Sequence, residues 1–389
     1  LGCEWTPDGE KTGTVWIDDV SLVDSATRKE LLLEGDFEVA DFVAGKDLVT
    51  FNWTRWDQAM ERAVNEYHFN SFLLRVPGLG GGTFHARHAG ELCGYAEGTP
   101  EYAALLKAWC DGVRTHLADK GLLERAVVYP FDEPAEKDYA FVCSQLRRLK
   151  DNFPGLRRMV PMNLGAVDDF LGLIDLWCPI MNSHNREFAT ARRRAGELYT
   201  WYICCAPKAP YIANFIDRPG TDLRLWLWQT WQEQVDGILI WETVWWTSGA
   251  AYPDTPQNPY ADSMSWVDGY GTPRGTKRRW NVGDGRFLYP PRGATGAQAG
   301  AVLDGPVSSL RWEALRDGVE DFEYLVTLRR LLKEQRATLP AAEIARCENL
   351  LVVPPAISRS LTDWTKDPAP IEKRRCQVAA AIQELMRQR

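Results

Sequence analysis

The sequence predicts an α/β fold whose main domain is a (β/α)8 barrel of the TIM type. The 389 residues exceed what one ordinary hydrophobic core serves, whereas α/β barrels commonly run to about 250 residues or more. Strand and helix signals alternate along most of the chain, which is the order that a parallel sheet wrapped by helices requires. No apolar run approaches the roughly 20 residues that span a bilayer, so membrane insertion is not predicted.

Eight segments have the length and apolar content of barrel strands. The predicted strands are 47–53, 70–77, 125–132, 157–163, 173–180, 198–204, 237–243 and 286–290. Helices between them are predicted to begin at Thr54, at Thr99 with Pro100, and at Thr221 with Asp222, because these residue types favour a helix N-terminus. A count of eight fits a closed barrel.

The segments outside the barrel predict two further parts. Residues 13–23 alternate apolar and polar positions, which is typical of a closing strand of a β-sandwich, so residues 1–45 are predicted to be the remnant of an N-terminal sandwich and its linker. The barrel is assigned to 46–335 and a C-terminal helical extension to 336–389. We expect the natural N-terminus to lie upstream of Leu1; a secreted or periplasmic location would fit, but the compartment is not predicted.

The charge of the chain predicts an uncharged substrate. With 45 basic and 53 acidic residues the net charge is −8, which argues against nucleic acid or an anionic membrane as the main partner. The GLGGG string at 78–82 lacks the ending of a phosphate-binding loop, and the five His and nine Cys show no metal-ligand spacing. No cofactor and no metal are therefore expected, and the oligomeric state is not predicted.

Tryptophan is the residue in excess. Of the 17 Trp residues, many lie between Trp177 and Trp246 beside polar residues rather than in long apolar runs. An aromatic face can cover the C–H surface of a sugar while neighbouring polar groups bind its hydroxyls. The cluster therefore favours sugar binding, although any single Trp could equally fill a large core.

Two adjacent acids are the strongest catalytic candidates. In AVVYPFDEP, at 126–134, an apolar strand ends in Asp132, Glu133 and a helix-stopping proline. Burying two carboxylates without a task is costly, and the C-terminal end of a barrel strand is where catalytic residues lie. The alternative is that the two acids cap the following helix.

Adjacent carboxylates favour one glycosidase mechanism over the commoner one. Most retaining glycosidases hold acid and nucleophile about 5 Å apart on opposite sides of the bond, which neighbours on one strand rarely achieve. A substrate with a 2-acetamido group supplies its own nucleophile, the acetamido carbonyl oxygen, and forms an oxazolinium intermediate. One acid then protonates the leaving oxygen while its neighbour orients the acetamido N–H.

Several strings together resemble a known family. They are YPFDEP, WYICCAPKAPY at 201–211, GILIWETVWW at 237–246, GDGRFLYPP at 283–291 and SLRWEALRDGVEDFEYL at 309–325. Over roughly residues 50–330 the chain resembles glycoside hydrolase family 123 and its relatives that carry domain of unknown function 4091. The resemblance implies a barrel preceded by a β-sandwich, β-N-acetylgalactosaminidase activity and a glycan or glycoconjugate substrate. It also implies that Asp132 orients the acetamido group and that Glu133 is the general acid/base, with a raised pKa.

Aromatic and polar residues near strand ends are the predicted substrate contacts. Tyr202 and Trp241 are expected to form the wall of the acetamido pocket and the sugar platform. The further candidates are Trp177, Trp245 and Trp246 as aromatic contacts, Arg75, Asn182 and Asp284 as hydroxyl contacts, and Glu242 as a further substrate contact.

Two alternatives stay open on the sequence. Glu242 follows Trp241 where the family pattern has a neutral polar residue, so a retaining β-glycosidase with Glu133 as acid/base and Glu242 as nucleophile is the second hypothesis. The third is a carbohydrate-binding barrel that does not catalyse, which the presence of both Asp132 and Glu133 disfavours.

Overall fold

A computed structural model describes most of the chain in two compact units. The described residues are 41–45, 48–81, 87–163, 165, 167–246, 258–261, 263, 282–291 and 305–387. The predicted sandwich strand at 13–23 and most of the loop 247–285 lie outside them. The first unit ends at Tyr202 and the second begins at Ile203. The predicted division of the chain at residues 45 and 335 stays a prediction.

The first unit alternates strands and helices. Its elements are β1 (Asp41–Gly45), β2 (Leu48–Asn52), α1 (Thr54–Asn65), β3 (Phe72–Leu73), β4 (Glu91–Leu92), β5 (Tyr95–Ala96), α2 (Pro100–Asp119), β6 (Ala126–Val128), α3 (Tyr139–Asn152), β7 (Arg157–Met162), β8 (Leu176–Pro179), α4 (Arg186–Arg194) and β9 (Leu198–Tyr202).

Five of these strands form a parallel sheet in the order β3-β6-β7-β8-β9. Helix α2 lies between β3 and β6 in the chain, α3 between β6 and β7, and α4 between β8 and β9, so each crossover returns the chain to the same end of the sheet. Every residue of β6 and β8 is buried, as expected for strands covered on both faces. All carboxyl ends of these strands therefore meet at one edge.

Helix α2 shows why this alternation is readable in the sequence. Thr99 caps the helix by accepting a hydrogen bond of 3.3 Å from the backbone N–H of Tyr102, and Pro100 occupies the first turn, where its missing N–H is not needed. The buried face carries Tyr102, Leu105, Trp109 and other apolar residues spaced three and four apart. This face packs in the core beneath the sheet strands and fixes the helix on the sheet.

The second unit is mainly helical. Its elements are α5 (Asp222–Gln232), β10 (Gly237–Leu239), β11 (Leu288–Tyr289), β12 (Val307–Ser308), α6 (Leu310–Gln335), α7 (Ala341–Leu350), β13 (Ser358–Ser360), β14 (Asp363–Trp364) and α8 (Ala369–Arg387). Helix α5 is buried from Asp222 to Thr230, and Gly318 lets α6 approach it, since a Cβ there would lie 2.9 Å from the carbonyl oxygen of Arg224. None of the helices in the described ranges is long and apolar enough to cross a membrane.

Two of the eight predicted barrel strands form strands but pair antiparallel, so their assignment to the parallel barrel sheet is wrong. The prediction at 47–53 corresponds to β2, which pairs antiparallel with β1 because only two residues of chain separate them. The prediction at 286–290 corresponds to β11, which pairs antiparallel with β12. The α/β class and the parallel sheet are confirmed, whereas the closed (β/α)8 barrel stays a prediction.

Candidate active site

The carboxyl ends of three strands bring polar side chains to one place in the first unit. Strand β6 ends at Val128 and continues directly into the turn that carries Asp132 and Glu133. Asn163 follows the last residue of β7, and Tyr202 is the last residue of β9. The end of β6 thus carries the acidic pair, and the ends of β7 and β9 each contribute a side chain that bonds it.

Glu133 is held at both carboxylate oxygens. The Tyr202 hydroxyl donates a hydrogen bond to Oε1, and Nδ2 of Asn163 donates to Oε2 at 3.3 Å. Burial raises the pKa of Glu133 above its ordinary value, and the negative charge of Asp132 adds to the increase. The two hydrogen bonds act in the opposite direction but do not cancel it. The raised pKa lets Glu133 keep its proton to a higher pH, and the two hydrogen-bond donors stabilise the carboxylate once the proton has left. Both properties are what a general acid/base requires.

The backbone of Glu133 lies in the left-handed region. Its φ is +39°, which is rare for a residue with a Cβ and carries strain. The preceding peptide is anchored, because Nη2 of Arg87 donates a hydrogen bond of 2.9 Å to the carbonyl oxygen of Asp132. The turn therefore presents two consecutive side chains in directions that an extended strand would not give.

Asp132 has its own tyrosine partner. The hydroxyl of Tyr129, three residues earlier, donates a hydrogen bond to Oδ1 of Asp132. Burial raises the pKa of Tyr129 well above 10, and the charge of Asp132 raises it further, so the phenol stays a donor near neutral pH. The two acids are adjacent in the chain but are bonded by different tyrosines.

A second polar cluster lies in the other unit around Asp284. Trp241 donates from its indole Nε1 to Oδ1 of Asp284 at 3.0 Å, and Asn214 donates to the same oxygen at 2.6 Å. Asp284 is buried, which raises its pKa to about 6. Trp241 is 37% exposed and its ring lies 5.4 Å from that of Trp245. An exposed indole held this firmly fits the predicted sugar platform.

Glu242 is buried and bonded to its own backbone. Its Oε1 accepts hydrogen bonds from the N–H groups of Thr243 at 2.7 Å and Val244 at 2.9 Å. Burial raises its pKa more than these two bonds lower it. A carboxylate that caps its own turn is placed to order the segment 241–246.

Half of the eight tryptophans in the stretch 177–246 are fully buried in the core. Four residues of the stretch, Trp177, Trp201, Trp226 and Trp228, are at most 2% exposed. The interpretation of the stretch as mainly a sugar site is therefore corrected, because packing rather than composition decides which indole faces solvent. Trp177 in particular donates from Nε1 to Glu197 at 2.6 Å and packs edge-on against Phe188, so it is withdrawn from the substrate contacts.

The remaining predicted contacts are dispersed. Trp246 is half-buried and donates from Nε1 to the carbonyl oxygen of Leu288 at 2.8 Å. Asn182 is exposed in a short turn after β8, and Arg75 is exposed after β3. The structure thus brings Asp132, Glu133 and Tyr202 together in the first unit, and brings Trp241, Trp245 and Asp284 together in the second.

Three residues of the acidic pair's surroundings were missing from the prediction: Tyr129, Asn163 and Arg87. Asn163 ends the predicted strand 157–163, so its position at a strand end was a usable signal. Tyr129 lies within the same motif as the acids. For Arg87, which lies 45 residues before Asp132, the sequence offers no comparable signal. Within the described ranges, no group of three or more His, Cys, Asp or Glu is placed to hold a metal ion.

Two adjacent carboxyls at the carboxyl end of a parallel strand, one of them with a raised pKa, are an arrangement that glycoside hydrolases can use. The family model described as the catalytic domain of glycoside hydrolase 123 matches residues 85–328, more than half of the chain. The chain therefore belongs to glycoside hydrolase family 123.

Among solved structures, the chain is similar to a family 123 glycoside hydrolase from Clostridium perfringens, analysed for its hydrolysis of glycolipid glycans. The two are 14% identical with a TM-score of 0.51, and the match covers 90% of this chain and 58% of that one. This likeness supports the fold, and the chain spans little more than half the length of that enzyme. No curated protein matches the chain.

Proposed function

We propose that the chain carries the catalytic centre of a retaining glycosidase that releases β-linked N-acetylgalactosamine by substrate assistance. The observation that carries the proposal is the adjacent pair Asp132 and Glu133, in which each carboxylate has its own tyrosine donor and Glu133 has a raised pKa. Two carboxyls with unequal environments can perform two different tasks.

In the first step the substrate's acetamido carbonyl oxygen attacks the anomeric carbon. Protonated Glu133 gives its proton to the leaving glycosidic oxygen, so that the alcohol departs neutral. Asp132 accepts a hydrogen bond from the acetamido N–H and stabilises the positive charge that develops on the acetamido group as the oxazolinium forms. The products of this step are the leaving alcohol and a bound oxazolinium.

In the second step water opens the oxazolinium. Glu133, now a carboxylate, removes a proton from the attacking water, and the new C–O bond forms on the face that the leaving group occupied. The hydrogen bonds from Tyr202 and Asn163 support Glu133 in this ionised state. The released sugar keeps the β configuration, and Glu133 regains its proton for the next cycle.

The substrate and the complete fold belong to the same proposal. Family membership and the similar enzyme from Clostridium perfringens favour the glycan of a glycoconjugate, a glycolipid included, as the substrate. Tyr202, Trp241 and Asp284 are the proposed sugar contacts. The order of strands and helices, together with the likeness to that enzyme, favours a (β/α)8 barrel as the complete catalytic domain.

A panel of chromogenic β-glycosides tests the proposal. Wild type is expected to hydrolyse 4-nitrophenyl β-N-acetylgalactosaminide and to leave the matched galactoside, which lacks the acetamido group, uncleaved. A thiazoline analogue of the oxazolinium should inhibit. The variants Asp132→Asn and Glu133→Gln should each lower kcat/KM by about 100-fold or more. Cleavage of both glycosides at equal rates would rule out substrate assistance.

In the alternative mechanism with a covalent glycosyl-enzyme, Glu242 would be the nucleophile. A nucleophile needs an accessible carboxylate oxygen, whereas Glu242 is 3% exposed and its Oε1 accepts two backbone N–H groups. Glu242→Gln is expected to keep most of the activity on the acetamido substrate. Labelling of Glu242 by a 2-fluoro glycoside would favour the covalent mechanism instead. Sugar binding without turnover by wild type would favour the binding-only hypothesis.

A further inference from the structure

We propose that Tyr129 is a positioning residue that fixes the carboxylate plane of Asp132 and directs its second oxygen, Oδ2, towards the acetamido N–H of the substrate. The proposal rests on the function proposed above and deepens it. It assigns a task to a tyrosine that the sequence analysis did not single out.

The geometry starts from the hydrogen bond between the two side chains. Tyr129 donates from its hydroxyl to Oδ1 of Asp132. In the described part of the chain, this is the side chain that bonds the Asp132 carboxylate. One oxygen is therefore occupied by the protein, and the other is the one that a substrate N–H can use.

The segment between the two residues is restrained by a proline and by packing. Pro130 has a locked φ. Phe131 is 1% exposed and packs edge-on against Phe141 with ring centroids 5.9 Å apart. At the far end, Arg87 holds the carbonyl oxygen of Asp132. Packing fixes the backbone on this side of the turn, and Tyr129 fixes the side chain.

The electrostatics of Tyr129 suit a permanent donor. Burial and the charge of Asp132 raise the pKa of the phenol, so it does not ionise near neutral pH. A neutral donor can bond the carboxylate without adding a second negative charge to a place that already contains Glu133. The Asp132 charge in turn helps to keep the proton on Glu133.

The proposed reaction requires Oδ2 of Asp132 to point in a defined direction. The acetamido group attacks only when its carbonyl oxygen lies beneath the anomeric carbon, and the N–H on its other side must then face an acceptor. A carboxylate free to rotate offers that acceptor for only part of the time. Misplacement by about 1 Å can cost about 100-fold in rate, which sets the scale of the expected effect.

Tyr129→Phe removes the hydroxyl and leaves the ring. On an aryl β-N-acetylgalactosaminide we expect kcat to fall about 10- to 100-fold while KM changes less than threefold, and the inhibition constant of the thiazoline to rise by a similar factor. Tyr199→Phe is the matched control, because Tyr199 is fully buried on β9 and lies against His184 rather than the acidic pair. It should leave kcat unchanged.

A double-mutant cycle separates positioning from a general structural role. In the Asp132→Asn background, Tyr129→Phe should change kcat less than twofold, because the group through which it acts is already altered. A purely structural tyrosine would lower activity by the same factor in both backgrounds. If Tyr129→Phe lowers the yield of folded protein, Tyr129→Met removes the same donor with an adaptable side chain and must give the same coupling.

The two proposals fail in different ways. A folded wild type that cleaves no acetamido glycoside overturns the proposed function and this inference with it. A wild type that cleaves them while Tyr129→Phe keeps full activity, or while the two substitutions act independently, overturns the inference alone.

Discussion

Arg87 and Asp132 are joined by a hydrogen bond of 2.9 Å from Nη2 of the guanidinium to the main-chain carbonyl oxygen. The same guanidinium lies 3.5 Å, through Nε, from Oδ2 of Asp138, and both of these side chains are about 90% buried. Arg87 therefore ties the turn that carries the acidic pair to the residue just before helix α3. The geometry of Glu133 depends on a residue that touches neither carboxylate.

Replacement of this arginine should lower both activity and stability. Arg87→Gln breaks a largely buried ion pair, so we expect a loss of about 3 kcal/mol in the free energy of unfolding and a fall of about 10- to 100-fold in kcat/KM. Denaturant titration and steady-state kinetics measure the two effects. Arg148→Gln is the control, since Arg148 pairs with Glu97 at 2.6 Å in the same unit and should lower stability alone. Equal values of kcat/KM in the two variants would contradict the role of Arg87 in holding the turn of the acidic pair.

The pH profile should report the charge of Asp132 on Glu133. A general acid works while it is protonated, so activity falls as the pH rises through the pKa of Glu133, which burial and Asp132 both raise. Asp132→Asn removes the neighbouring charge, and we expect the basic limb of kcat/KM to move to lower pH. An activated aryl glycoside gives enough residual rate for the measurement. Asp169→Asn removes the same charge at a residue that does not contribute to the shift and should leave the limb in place. A limb that stays in place in Asp132→Asn as well would contradict the coupling.

A methyl group at Gly285 tests Trp241 as a sugar contact. Gly285 has a φ of +70°, and a Cβ there would lie 2.8 Å from Cζ2 of Trp241. Gly285→Ala should displace the indole and raise KM about 10-fold, with a loss of about 1–2 kcal/mol in stability from the backbone. Gly172→Ala has nearly the same backbone, with a φ of +74° and no neighbour within 4 Å, so it isolates the conformational cost. A KM that rises equally in both variants would remove Trp241 from the substrate contacts.

The contribution of Asp284 to stability should decrease as the pH rises from about 4 to about 6. Burial raises the pKa of Asp284 from 3.8 to about 6, so in this range the folded state keeps a proton that the unfolded chain releases. The contribution of this carboxyl to the free energy of unfolding falls across that window by about 1.4 kcal/mol for each unit of the shift. Asp284→Asn keeps an acceptor for Trp241 and Asn214 but cannot titrate. In denaturant titrations at pH 4, 5 and 6, we therefore expect the free energy of unfolding of wild type to fall relative to that of the variant as the pH rises. A difference between the two proteins that stays constant over this pH range would show that the carboxyl is not protonated in the folded state.

The acidic pair was predictable because the signal is local. A buried apolar run that ends in Asp132 and Glu133 places both at a strand end without any knowledge of distant residues. The helix start at Thr99 was predictable for the same reason. The family strings added the expected tasks of the two acids but not their hydrogen-bond partners.

The errors arise where a local pattern depends on distant packing. The direction in which β2 or β11 pairs is decided by the nearest available strand, and an isolated apolar segment does not record it. Burial of Trp177 depends on helix α4, which supplies Phe188 against its ring. Arg87 reaches Asp132 across 45 residues of chain, a distance over which periodicity carries no information.

The left-handed backbone of Glu133 lowers stability at a residue whose side chain is proposed to be needed for turnover. Glycine adopts a φ of +39° freely, so Glu133→Gly would relieve about 1–2 kcal/mol of backbone strain, but it would also remove the proposed proton donor and the acceptor that Tyr202 and Asn163 share. The protein thus keeps an uncommon backbone conformation at the one position where the proposed reaction needs a carboxyl, and a residue that fits this backbone with less strain could not take part in turnover.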